Sequence, residues 1–289
     1  MENLRKYVPP SIKRIVKTVI YSYTDIYQYV TGTRKPLTPP AMAALLIGGG
    51  SFQNIGKAFK HHLIKKTGLN QDSTVLEIGC GYGRVAVALT DLIRVPGRYD
   101  GVEIVEKAVK WCQKEITPHY PNFVFHHADV SNPYAKRKNG RSASTYRLPF
   151  EDSTYDVVYL TSVFSHMRPS EIRAYLNQIS RVMKPHGKCF ITYYLINNFV
   201  EAQIASKQAS QDFRYDFGDF LSTHKRTPEH AIAVSESLIR SFYEEAGLVI
   251  DEPILYGSWA IGETRFSYQD VLVATKLCRR AGVEEEQWP

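Results

Sequence analysis

Cysteine is scarce: Cys80, Cys112, Cys189 and Cys278 stand singly in a chain of 289 residues, with no CxxC pair. This excludes a disulfide framework and fits a reducing, cytoplasmic location. Long apolar runs are missing as well. No stretch approaches the roughly 18 apolar residues of a membrane span, and lysines and prolines interrupt the opening MENLRKYVPPSIKRIVKTVIY before a signal core can form. No internal repeat is visible. Acids are almost absent from residues 1–70, where 11 Lys+Arg face 2 Asp+Glu. That segment therefore carries +9, and the rest of the chain, whose total is +7, carries −2. A uniformly basic body would suggest a nucleic-acid binder. A basic leader on a near-neutral body suggests a local contact with an anionic surface or substrate, or a set of solvated lysines. With 44% hydrophobic and 22% charged residues, the remaining composition is that of a globular chain, which excludes collagen-like, coiled-coil and wholly disordered readings.

The pattern of apolar residues places the elements. After Pro9 and Pro10, apolar residues from Ile12 to Val30 recur at helical spacing, with Ser11 as N-cap and Gly32 as stop. This amphipathic helix reads either as a lid packed on the domain or, with Lys13, Arg14 and Lys17 beside its polar face and tyrosines along it, as an interfacial helix at an anionic membrane through residues 11–31. A proline-broken linker follows, then a helix ending near Thr67. From Ser73 onward strands and helices alternate: strands at 75–78, 99–104, 123–127, 156–161 and 188–194, helices at 84–90, 106–116 and, capped by Ser170, 170–182. Such alternation with short connections predicts an α/β fold with a parallel sheet covered on both faces. Beyond a helix at 235–246, the strands 249–255 and 268–275 lack a crossover helix and are expected to pair antiparallel.

The most specific segment is Val75-Leu76-Glu77-Ile78-Gly79-Cys80-Gly81-Tyr82-Gly83-Arg84, a buried strand running into a glycine turn that opens a helix. Glycine lets backbone approach a ligand closely, and a helix N-terminus offers free N–H groups. The spacing is GxGxG, and Arg84 replaces the last glycine of a GxGxxG dinucleotide loop, which argues against NAD. Glu103 ends the next strand, where a carboxylate can accept from both hydroxyls of a ribose.

These segments, in this order, resemble the class I S-adenosylmethionine-dependent methyltransferases. Glu77 to Arg84 is similar to their first motif, Gly101-Val102-Glu103-Ile104 to the second and His127-Ala128-Asp129-Val130 to the third. Leu148 to Ser162 and Ile179 to Lys188 match later motifs, although His186 stands where the family usually has glycine. The resemblance covers roughly residues 45–276 and is to bacterial-type enzymes of small molecules or glycans. It implies a doubly wound, Rossmann-like seven-stranded sheet, mostly parallel with an antiparallel C-terminal strand pair and an N-terminal helical extension. The domains expected are a helix and linker at 1–44, the methyltransferase domain at 45–280 and a tail at 281–289. The implied cofactor is S-adenosylmethionine: Glu103 at its ribose, Asp129 with Ala128 and Val130 at adenine, Gly79, Gly81 and Gly83 beneath its methionine part, Glu77 near the ammonium, Leu160 and Thr161 lining the methyl donor, and Cys80, Arg84 and Ile104 as further cofactor-binding residues.

The implied reaction is methyl transfer to an oxygen of a small molecule, sugar or glycan end, lipid-linked in one version, by in-line displacement. His166, just past the fourth strand, is the candidate general base, since an imidazole suits proton removal near neutrality. Tyr193, Tyr194, Asn197, Trp259 and Arg265 are the candidate substrate contacts. No metal cluster emerges, because His61-His62 and His126-His127 are adjacent pairs whose side chains diverge. The basic stretch Ser131 to Arg147 reads as a solvated loop or a phosphate clamp. A nucleic-acid substrate is disfavoured: Leu160-Thr161-Ser162-Val163 lacks the Asp/Asn-Pro-Pro-aromatic signature of base-amine enzymes, and Cys189 lies inside a strand. The alternatives are a non-catalytic methyltransferase-like scaffold docking a membrane or partner through the basic helix, and an RNA methyltransferase. The acceptor and the oligomeric state are left open.

Overall fold

The computed structural model describes residues 10–43, 50–132, 140–261 and 265–278. Gly48 and Gly49, the Lys136-Arg137-Lys138 part of the basic loop and the 281–289 tail lie outside the described residues. The first helix, α1, runs Pro10–Thr31 and α2 runs Phe52–Thr67, the latter capped by Ser51 and stopped by Gly68 in the left-handed region. Then β1 (Thr74–Ile78), α3 (Arg84–Leu89), β2 (Arg98–Glu103), α4 (Glu106–Glu115), β3 (Phe123–His127), β4 (Tyr155–Leu160), α5 (Pro169–Val182) and β5 (Met183–Tyr193) follow in the expected alternation. The helix α5 starts one residue before its sequence-derived boundary. Pro169 takes the first position and the Glu171 side chain accepts the Arg168 N–H at 2.8 Å, so Ser170 is not the cap.

The strands form a seven-stranded sheet in the order β10-β11-β5-β4-β1-β2-β3, with β10 Leu248–Ile250 and β11 Asp270–Lys276. The first five strands pair parallel, and β11 is antiparallel to both β5 and β10, as the sequence predicts. Successive residues feed opposite faces. Val75, Val157, Tyr159, Phe190 and Val273 pack under α2, α3 and α4, while Leu76, Val158, Leu160, Ile191 and Leu272 pack under α5 and the helix α7 (Glu236–Glu245). Near-continuous apolar strands follow from burying both faces. Chain order reverses direction at β1, between β4 on one side and β2 on the other, and this opens a crevice at the strand C-termini.

His186 has φ +62°, a left-handed backbone that glycine adopts freely, which accounts for the glycine usual at this position in the resembling family.

A second sheet was not foreseen. Leu195–Ile196 (β6), Tyr215–Asp216 (β7), Leu221–Ser222 (β8) and Ile232–Ser235 (β9) order as β6-β9-β8-β7, with an eight-residue helix α6 (Asn198–Ala205) after β6. It grows from the top of β5 and carries its own small core around Tyr194, Phe213, Ala233 and Trp259.

The lid reading of α1 does not hold. Its apolar residues from Ile12 to Val30 are exposed, and it meets the body through its polar side. Asp25 there accepts the Ala41 and Met42 N–H groups at 2.6 and 3.1 Å and pairs with Arg34, and the Ser22 hydroxyl reaches the Met42 sulfur.

Candidate functional site

The glycine turn between β1 and α3 takes the shape the sequence requires. Gly79, Gly81 and Gly83 all have positive φ, and a Cβ on Gly79 would collide with Cγ2 of Val163, on the segment after β4. The turn is pinned to β2: the Gly79 and Cys80 N–H groups donate to the Val102 carbonyl at 2.7 and 3.1 Å.

Glu103 stands at the end of β2, nearly buried, with one carboxylate oxygen accepting the Gly81 N–H at 2.9 Å and the other the Val105 N–H at 2.8 Å. Burial pushes its pKa above the ordinary carboxylate value, and the backbone donors oppose the shift. A carboxylate has about four lone-pair sites, so two backbone bonds leave acceptor capacity for a diol. Past β3, the Ala128 N–H donates to the Glu103 carbonyl, Ala128 and Val130 are buried, and Asp129 projects on the surface between them. Glu103, Gly81 and the 128–130 turn thus converge at one end of the crevice. Ile104 and Arg84 are half-buried at its edges, and Cys80 is buried with its thiol toward the Gly81 carbonyl. The donor set fits an adenosine-type cofactor: an acid for a diol, glycine backbone for close passage, and an acid and buried turn for a heterocycle.

Three assignments shift. Leu160 is wholly buried in the core and offers only its backbone to the crevice, while Thr161 is half-buried. Tyr193 is buried with its hydroxyl on that of Tyr243 at 2.9 Å. Trp259 is wholly buried, its indole N–H donating to Asp270 at 2.8 Å and its ring edge-on to Tyr194 and Phe213. These two aromatics are core, and Tyr194 mostly so. Aromatic side chains in a late loop read alike whether they face a ligand or a core.

Glu77 departs further from its expected role. It lies beneath the turn, not toward a ligand ammonium, and one of its oxygens takes the hydroxyls of Tyr99 at 2.5 Å and Tyr159 at 2.7 Å. Burial raises its pKa from 4.5 to about 7, against the two tyrosines. An acid whose folded pKa is raised is stabilised in its neutral form, so stability is full below pH 4.5 and falls as the pH rises through 7. From the shift, the fall is on the order of 3 kcal/mol. Glu77→Gln cannot ionise and is expected to gain on the natural chain by up to about this amount between pH 5 and pH 8. Urea unfolding of both proteins at the two pH values tests this, and an unchanged difference between them would refute the buried neutral acid.

On the β4 side, sequence reasoning missed a polar bridge. Ser162, at φ +57°, donates its N–H to the Thr192 hydroxyl at 2.7 Å and its own hydroxyl to Gln269 at 2.8 Å, and the Thr192 hydroxyl also donates to Gln269 at 2.9 Å. The bridge ties the ends of β4 and β5 to the residue before β11. The only sequence signal was topological, since ligands bind outside strand C-termini.

Next to Gln269, Asp270 borders a cavity of about 750 Å³ between α6, the start of α7, the 256–261 segment and Arg265. Of the candidate substrate contacts, Asn197 and Arg265 line it, together with the apolar Ile196, Phe199, Val200 and Ile261 and the charged Glu201, Glu236 and Arg240. Asn197 caps α6 and donates to Glu236 at 3.0 Å, which also receives the Tyr256 hydroxyl at 2.8 Å. None of the glycine-turn residues lines this cavity, so it is a separate compartment at the same sheet edge.

His166 ends a short 3-10 turn, Phe164–His166. Its Nδ1 donates to the Glu229 carbonyl at 2.9 Å, and burial lowers its pKa while backbone bonds to Glu229 and His230 oppose that. The ring is therefore docked on the 228–230 segment and neutral near pH 7.

A doubly wound sheet with a glycine turn after β1 and an acid ending β2 defines an α/β domain that binds a nucleoside-type cofactor. The family model described as "Methyltransferase domain" matches residues 75–187. Over that segment the chain is similar to methyltransferase domains, which take S-adenosylmethionine as cofactor. Among curated relatives, a sterol 4-C-methyltransferase of Caenorhabditis elegans is 29% identical over 51% of this chain and 39% of its own length. A demethylmenaquinone methyltransferase of Staphylococcus haemolyticus is 27% identical over 45% of this chain and 47% of its own. The chain thus spans less than half the length of these relatives. A solved S-adenosylmethionine-dependent methyltransferase from Aquifex aeolicus shares the fold, with a TM-score of 0.50 and 16% identity over 83% of this chain and all of the other.

Proposed function

We propose that this protein transfers a methyl group from S-adenosylmethionine to a small, largely apolar acceptor bound in the 750 Å³ cavity. The observation that carries the reading is the cavity's position, one residue from the Ser162-Thr192-Gln269 bridge, at the same sheet edge as the glycine turn. Its wall sets the apolar Ile196, Phe199, Val200 and Ile261 among polar and charged groups that include Asn197, Glu201, Glu236, Arg240, Tyr256 and Arg265, a composition suited to orienting a molecule with an apolar body and polar substituents. Relatives named for sterol and demethylmenaquinone substrates support an acceptor of that kind, over the sugar or glycan reading.

When bound, the cofactor supplies an electrophilic methyl on a sulfonium. The chain holds the two ligands in line: the glycine turn and Glu103 fix one, and the cavity wall fixes the other. A hydroxyl acceptor must also lose a proton. His166 lies outside the cavity wall, so it can take that proton only from an acceptor hydroxyl that reaches past the cavity toward the segment after β4; donation from Nδ1 to Glu229 sets the tautomer in which Nε2 carries the lone pair. The relatives named for carbon methylation favour a second reading in which no hydroxyl is deprotonated and His166 only holds the 228–230 segment.

Turnover with trideuteromethyl-labelled cofactor and a panel of hydrophobic phenols, quinols and sterols decides both points. The expected product carries the label on oxygen, and His166→Asn lowers kcat at least about 100-fold with cofactor affinity intact. Label on carbon, with His166→Asn fully active, would exclude the base.

A further inference from the structure

We infer that α1 is a docking device for an anionic phospholipid surface, on which it lies flat with its apolar face down. Amphipathic helices in globular proteins turn the apolar face inward, and α1 is mounted the other way round. Asp25 and Ser22, on the polar side, hold the helix to the Ala41–Met42 turn. The apolar side presents Ile15, Val19, Tyr23, Ile26 and Val30, each between 63% and 77% exposed. Such a contiguous exposed apolar stripe marks an interaction site. At 22 residues the helix is about 33 Å long, and no described helix is apolar enough to cross a membrane.

Charge selects the occupant. Residues 10–35 contain Lys13, Arg14, Lys17, Arg34 and Lys35 against the single acid Asp25, which is taken up by Arg34 and two backbone N–H groups. Basic residues beside an apolar face with tyrosines are the composition of an interfacial helix, whose affinity adds apolar burial to attraction by anionic lipid. A second copy docked stripe to stripe would bring the same unbalanced positive charge.

The test uses the full chain with vesicles of phosphatidylcholine alone or mixed with phosphatidylglycerol. The natural chain is expected to float with the mixed vesicles, less so at high salt and little with phosphatidylcholine alone. The triple variant Ile15→Asp, Val19→Asp, Ile26→Asp should lose at least about tenfold in partitioning while keeping its thermal midpoint and cofactor affinity, because none of the three side chains is buried. Equal flotation of the two proteins, or none by either, overturns the proposal. So does a natural chain that is dimeric by light scattering, becomes monomeric in the variant and ignores vesicles, which would assign the stripe to a second copy. Unchanged cofactor affinity separates this outcome from any failure of the methyltransferase reading.

Discussion

Asp270→Ala is expected to lower unfolding stability by about 4 kcal/mol. The carboxylate is buried at the start of β11 and accepts three N–H groups, from Leu195 and the Trp259 indole at 2.8 Å each and from Gly257 at 2.7 Å. Alanine would orphan all three donors, and each buried unsatisfied group costs about 1–3 kcal/mol. These three bonds hold together the start of β6, the 257–259 turn and β11, so the second sheet and the cavity wall depend on them. Urea unfolding followed by tryptophan fluorescence gives the value directly. A loss under about 1 kcal/mol would mean that water replaces the carboxylate and that Asp270 is not the peg of the small sheet.

Glu103→Ala is expected to weaken S-adenosylmethionine and its demethylated product by at least about 100-fold in calorimetric titration. Hydrogen bonds to a charged group contribute about 1.5–3 kcal/mol each, and two ribose hydroxyls lose their acceptor together. The same carboxylate orders the turn through the Gly81 and Val105 N–H groups, so the variant also loosens the backbone the ligand lies on. Glu103→Gln separates the parts: it keeps an acceptor oxygen but replaces the other with a donor facing the Gly81 or Val105 N–H. It should bind better than alanine and worse than the natural chain. A folded Glu103→Ala protein with unaltered affinity would remove the ribose assignment, and the orientation of the cofactor with it.

Much of this was readable in the sequence wherever burial or backbone geometry imposes a pattern. Strands covered on both faces demand continuous apolar runs, so β1 to β5 stood out, and left-handed turns demand glycine, so the 79–83 turn did too. The second sheet was invisible for the opposite reason. Its strands are two to four residues long, too short for any period to repeat, and their partners are set by tertiary contacts. The extent of α1 was legible to within two residues, its start lying at Pro10 with Ser11 inside the helix and not capping it, but amphipathicity says only that one face is apolar and not what covers it. Glu77 shows a subtler limit: an acid before a glycine turn looks ligand-directed, and only the inward Tyr99 and Tyr159 hydroxyls, from β2 and β4, reveal that it faces the core.

The contact between Gly79 and Val163 makes the two halves of the crevice answer to each other. There is no room for a methyl group between the cofactor turn and the segment after β4, and that segment is fastened through Ser162 to Thr192 and Gln269, beside the cavity. A displacement of the turn toward Val163 would meet that side chain directly and, through Ser162, the bridge at the cavity's edge. If filling one compartment required such a displacement, it would change the free energy of filling the other, and linkage would make the influence equal in both directions.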